Sequence, residues 1–337
     1  MDRNRRDLVK ALGAAGAMGL APALARANTA LPPPEVNTLR VVKFPSICQA
    51  PLFIAEELLR AEGFSGFTYV ESEVPGAGPG SVDVMNKGLA DMAVFFAAPL
   101  AMAIDRGADI SVLGGVHPGC FELFTRPEIK SVKDLKGKTV SVLGNETGQH
   151  VFLASIVTYV GLDPARDIKW DFNPPAKGKQ LLAEGKIDGY LGFPPDPQEL
   201  RAAKVGRMLL SSTYDRPWSQ YFCCMAAVNK TWQRKHPIAT KRVMRAILKG
   251  GDICTTDPDA GVRAFLGKGY SSRPELARQA LQELPYRRWT DFSPEDTLRF
   301  YALQLREAGM VKNTPQKIIE RGTDWRILEE LKRELKA

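Results

Sequence analysis

The same order of elements occurs twice in this sequence, and that repeat limits the fold more than any other feature. In the first copy, Leu39-Arg40-Val41-Val42-Lys43-Phe44 reads as a buried strand and 45–50 as a loop. Pro51 starts a helix with Leu52, Ala55, Leu58 and Leu59 on one face. A helical stretch at 82–87 stops at Gly88, and Asp91 opens a second strand that runs to Phe95. In the second copy, 139–143 is a strand, 144–148 a loop, and 149–160 a helix with Phe152, Ile156 and Tyr159 inward, stopped by Gly161. Helix 178–184, the stop Gly185 and strand 188–192 complete it. Val41 and Val140 are 99 positions apart, Asp91 and Asp188 97. Two α/β lobes of one plan, each with a helix-Gly-x-x-Asp-strand element, account for both offsets better than one continuous sheet. The apolar segment 221–228 and helices expected at 238–250, 258–266, 274–284, 294–308 and 324–335 hold no third strand-rich unit, so the chain should return to the first lobe. Two crossings follow, near 114–125 and 212–228, with a cleft between the lobes for a small ligand and for hinge closure.

The length of 337 residues exceeds what one core usually supports and agrees with two lobes. With 44% hydrophobic and 25% charged residues, the chain is neither disordered nor a coiled coil. The net charge of +8 is spread along the sequence with no Lys/Arg run interleaved with aromatics, which argues against nucleic acid as a partner. Beyond the N-terminus, Arg, Lys, Asp, Gly or Pro interrupts every candidate for the ~20 apolar residues of a bilayer span. The N-terminus reads as an export address. Arg5-Arg6 precedes a weakly apolar run at 11–24 and the small-residue pattern Ala25-Arg26-Ala27, and it resembles a twin-arginine signal cleaved after Ala27. The twin-arginine translocase is then the export partner, and the mature chain keeps a charge of +5 because residues 1–27 carry five positive and two negative side chains. The mature chain divides into a first part of lobe one at 28–118, lobe two at 119–218, and a return to lobe one with C-terminal helices at 219–337.

Cys48, Cys120, Cys223, Cys224 and Cys254 show no C-x-x-C spacing, and His117, His150 and His236 lie in unrelated contexts. Neither set has the spacing of a zinc site, and each cysteine reads as a small buried apolar residue.

Several segments carry a family resemblance: Leu39-Arg40-Val41, Ala50-Pro51-Leu52-Phe53-Ile54-Ala55-Glu56-Glu57, Gly88-Leu89-Ala90-Asp91, Ser131-Val132-Lys133-Asp134-Leu135-Lys136-Gly137-Lys138-Thr139-Val140 and Gly185-Lys186-Ile187-Asp188-Gly189. In order and type they resemble the nitrate/sulfonate/taurine-type and thiamine-pyrimidine-type solute-binding proteins of ABC importers, from about Leu39 to the 250s. The resemblance implies a type II periplasmic-binding-protein fold, two α/β lobes joined by two crossover strands, and a periplasmic, monomeric receptor that delivers a small solute to an ABC permease. Its most specific box, at 131–140, is physically a capped turn with one buried anchor, Leu135. The alternative on the same fold is an enzyme of the thiamine-pyrimidine synthase type, with a lysine-and-histidine site and a cysteine-rich metal segment. Cys223-Cys224 matches only part of such a segment, and an export signal fits that enzyme badly.

In open α/β sheets ligands sit beyond the carboxyl ends of the strands. The loops there supply Ser46, Cys48 and Gln49; Phe96 and Ala97; Asn145, Glu146 and Thr147; and Phe193. Asn145 and Thr147 at a helix start suit an anionic oxygen, with plain capping as the competing role, whereas Glu146 would favour an amine. At the first crossing His117 and Glu122 can hydrogen-bond a ligand, with an ordinary hinge turn as the alternative. Phe96, Phe193 and Trp218 adjoin loops and can stack a planar ligand. No catalytic residue, cofactor or metal is expected.

Overall fold

The computed structural model describes residues 32–72, 77–270 and 273–335; the export signal expected at 1–27 lies outside them. Strands β1 (Thr38–Lys43), β2 (Gly66–Glu71), β3 (Met92–Phe96) and β4 (Ile110–Pro118) form one sheet. Strands β5 (Glu122–Thr125), β6 (Thr139–Val142), β7 (Lys169–Phe172), β8 (Gly189–Gly192) and β9 (Arg207–Ser211) form another, and β10 (Phe222–Asn229) returns to the first. The orders, β2-β1-β3-β10-β4 and β7-β6-β8-β5-β9, are one arrangement used twice. β1 is parallel to β2 and β3, and β6 to β7 and β8. β10 and β5 run antiparallel to both of their neighbours. Each antiparallel strand is the one that has just crossed from the other lobe, β5 through residues 119–121 and β10 through 212–221.

The repeat has a local chemical basis. Gly88 and Gly185 end their helical turns at φ +68° and +67°, a conformation that costs a residue with a Cβ. The aspartate three residues on then locks onto the first strand of its lobe. Arg40 N–H donates to Asp91 Oδ2 at 2.8 Å while Asp91 N–H donates back to Arg40 C=O at 2.7 Å. Thr139 and Asp188 exchange the same two bonds, each at 2.9 Å. A glutamine repeats too. Gln49 Oε1 accepts from Phe44 N–H at 3.0 Å and its Nε2 donates to Val94 C=O at 3.2 Å. Gln149 does likewise with Leu143 N–H at 3.1 Å and Leu191 C=O at 2.7 Å. In each lobe one side chain therefore ties the end of the first strand to the strand beside it.

Strands β3, β4 and β10 are buried along their whole length, as sheets covered by helices on both faces require. Helix Ala50–Ala61 buries Phe53 and Ile54 as well as the expected Leu52, Ala55 and Leu59, because helix Pro237–Thr256 covers its other side. Gly250 lets the two backbones approach: a Cβ there would lie 2.3 Å from Pro51 C=O. Tyr159, expected inward, is half exposed. The box at 131–140 is a capped turn, with Asp134 accepting from Lys130 and Ser131 N–H at 2.9 and 2.8 Å, and Leu135 fully buried. Among the described residues no helix is long and apolar enough to cross a membrane.

Candidate functional site

The parallel strands of both sheets end at one interlobe cavity of about 700 Å³. Lobe one contributes Val42, Lys43, Phe44 and Pro45 from the end of β1, Glu71 and Ser72 from β2, and Phe95 from β3. Lobe two contributes Leu143, the first turn of helix Pro175–Ala183, Phe193, Pro195 and Asp196, and Tyr270 comes from the C-terminal region. Phe44 stacks on Phe95 at 5.9 Å, which gives the apolar wall depth.

Two lysines face three carboxylates within the walls. Lys179 donates to Asp196 at 2.6 Å and also to Glu199. Tyr190 O–H donates to Asp196 Oδ2 at 2.5 Å. Burial pushes the Asp196 carboxyl above its ordinary range, with Lys179 opposing it. Burial works against the Lys179 ammonium, yet Asp196 and Glu199 hold its pKa above the usual lysine value. Across the cavity Lys43 pairs with Glu71 at 3.0 Å and lies 5.3 Å from the Tyr270 ring centre. Among the described residues the Tyr270 hydroxyl has no hydrogen-bond partner. Such a cavity offers an apolar slot with a polar station at either end.

The lobes are closed on one another. Arg106 at the end of helix Ala97–Asp105 forks onto Glu146 of lobe two at 2.9 and 2.6 Å. A Cβ on Gly78 would meet Glu146 C=O at 2.0 Å, and one on Gly148 would meet the Phe96 ring at 2.5 Å. On another side of the cleft Glu283 accepts from Arg201 at 2.5 Å and from Gln198 at 2.8 Å.

Leu143, just before the loop at 144–148, borders the cavity, while the polar side chains of the loop turn elsewhere. Thr147 caps helix Gly148–Tyr159, accepting from His150 N–H at 3.4 Å and donating to Gly144 C=O at 2.8 Å. Asn145 is exposed, and Glu146, at φ +54°, is held by Arg106. Gln49 spends its amide on the backbone bridge described above. Phe96 and the adjoining Ala97 are buried, and Phe96 packs on Phe121 and Phe193 at 4.7 and 5.4 Å. Phe193 is the one residue of the expected set that lines the cavity wall. Trp218 is buried at the second crossing against Tyr159. Glu122 is buried and paired with Arg201, which opposes the upward push of burial on its pKa.

Ser46, Cys48 and His117 belong to a second, fully buried cluster. Ser46 Oγ is hydrogen-bonded to Cys48 Sγ at 2.9 Å. The Cys48 sulfur lies 3.7 Å from that of Cys224, and those of Cys120 and Cys223 are 2.8 Å apart. The sulfurs of Cys48, Cys120 and Cys224 all lie within 4.8 Å of one another, a grouping able to hold a metal ion. Burial opposes charge on the His117 ring, which sits beside Cys224 and Cys48. Sequence spacing missed this set because its members come from three segments of the chain. Asp196 closes the loop 192–196 that the sequence placed at the cleft, whereas Lys43, Glu71, Lys179 and Glu199 were missed, although Lys43 and Glu71 each end a strand.

Two lobes of this strand order, joined by two crossings around a cavity, define the periplasmic-binding-protein fold. The chain belongs to the NMT1-like family, whose model matches residues 32–264. Its fold is similar to that of the periplasmic nitrate-binding protein NrtA of Synechocystis PCC 6803, at 15% identity, 90% coverage of each chain and a TM-score of 0.71. The periplasmic aliphatic sulphonate-binding protein SsuA of Escherichia coli is similar at 18% identity, with 86% of this chain and 92% of that one covered and a TM-score of 0.67. The alkanesulfonate-binding SsuA of Xanthomonas axonopodis pv. citri, bound to MOPS, is 18% identical over 82% of this chain and 96% of that one, with a TM-score of 0.63. No curated protein matches the chain.

Proposed function

We propose that this protein is a periplasmic solute receptor that captures a small organic molecule between its lobes and hands it to an ABC permease, without chemistry of its own. The observation that carries this reading is the cavity of about 700 Å³ walled by strand ends of both lobes, where binding and lobe closure are one event. Phe44, Phe95, Phe193 and Tyr270 suit a planar or heterocyclic body, and the Lys43–Glu71 and Lys179–Asp196–Glu199 groups suit polar ends of either sign. The similar nitrate- and sulfonate-binding folds support the class of protein. Export through the twin-arginine translocase, cleavage after Ala27, lobes at 28–118 with 219–337 and at 119–218, and a monomeric state complete the proposal.

A thermal-shift panel of sulfonates, nitrate, pyrimidines, aromatic acids and amines on the chain from Asn28 tests it. A binder raises Tm in proportion to its saturation. A panel with no stabilising member, or turnover of a stabilising one, would count against the reading.

A further inference from the structure

The cluster at the crossings carries a second site. Cys48 lies in the turn after β1, Cys120 in the first crossing and Cys224 just past the second, where register shifts on either side of Cys224 interrupt the β10–β4 ladder. All three sulfurs are buried and none is in a disulfide. A tetrahedral zinc with bonds of about 2.3 Å sets its sulfurs about 3.8 Å apart, and Cys48 and Cys224 stand at 3.7 Å. His117, fully buried, places Nδ1 3.1 Å from Pro118 C=O. An Nδ1–H donated there leaves Nε2 as the lone-pair nitrogen, the tautomer a ligating histidine requires. Among the described residues Nε2 has no hydrogen-bond partner, an orphan that a buried polar atom seldom tolerates.

We propose that Cys48, Cys120 and Cys224 bind a zinc ion, a three-thiolate set that clamps the first loop of lobe one to both crossings, with Nε2 of the neighbouring His117 as the candidate for the fourth position. Binding displaces the protons held on the three thiols and any on Nε2, and these are released to solvent. Zn²⁺ offsets two of the three thiolate charges in a site sealed from water, whereas Cu⁺ would offset only one, so zinc is the favoured occupant. The site stands independently of what the cleft binds.

The test is the metal content of the whole chain, produced with zinc and kept reduced. About one zinc per chain is expected, lost in Cys120→Ser and in Cys224→Ser but kept in Cys254→Ser, a buried cysteine outside the set. Should the serine variants fail to fold, cobalt replacement in the unaltered chain gives the reading instead: thiolate-to-cobalt charge transfer and the visible bands of a tetrahedral ion are expected. Absence of both zinc and those bands, or a zinc content unchanged in Cys224→Ser, would overturn the proposal.

Discussion

Gln49→Leu separates a structural role from a ligand-binding one at a position where the sequence allows either. Both bonds of its amide are buried, to Phe44 N–H and Val94 C=O. Leucine removes both and leaves a donor and an acceptor without partners, each costing about 1–3 kcal/mol. The added apolar burial returns about 1–2 kcal/mol, for a net loss of about 0–5 kcal/mol, centred near 2.5 kcal/mol. With a urea m-value near the top of the usual range, about 3 kcal/mol/M for a chain of this size, the unfolding midpoint should fall by about 1 M. Gln149→Leu breaks the equivalent pair in lobe two and should cost a similar amount. Urea titrations followed by circular dichroism measure both. Unchanged midpoints, with solute affinity lost in Gln49→Leu alone, would refute the bridging role and return Gln49 to the ligand.

Two further outcomes follow from the closed lobes and from a buried histidine. Gly78→Ala places a Cβ against the Glu146 carbonyl, so it should hold the lobes apart; a larger radius of gyration by small-angle scattering is expected, and a radius equal to that of the unaltered chain would contradict it. Burial lowers the His150 pKa to about 4, below the ~6.5 of an unfolded histidine, and its Nδ1 accepts from Glu146 N–H at 3.1 Å. The unfolded chain therefore binds the proton first, and stability present above pH ~6.5 should decline by about 3 kcal/mol as pH falls toward 4. His150→Asn should flatten that window, and an equal slope in the variant would assign it to other groups.

The repeat was legible because its signals are local. Gly88 and Gly185 need left-handed turns, and Asp91 and Asp188 bond a strand that each lobe forms in the same way. The cleft's location was legible for a related reason, since ligand sites in such sheets follow from topology. The edge strands β2 and β7 were not, because they lack the fully buried apolar runs of the central strands. Thr147 shows where residue type alone fails: a hydroxyl at a helix start fits a cap and a ligand contact equally, and here it caps. Glu146 depended on Arg106, forty positions away in the other lobe. The sulfur cluster was invisible for the same reason, because no spacing rule relates Cys48 to Cys120 and Cys224.

The central claim, that the interlobe cavity is the solute site, is tested most directly by filling it. Ala176 lies exposed in the first turn of helix Pro175–Ala183 on the cavity rim, so Ala176→Trp occupies the space without entering the core. Calorimetric titration of the most stabilising solute from the panel into this variant should show no binding, at an apo Tm equal to that of the unaltered chain. Full affinity in Ala176→Trp would place the solute elsewhere and contradict the account.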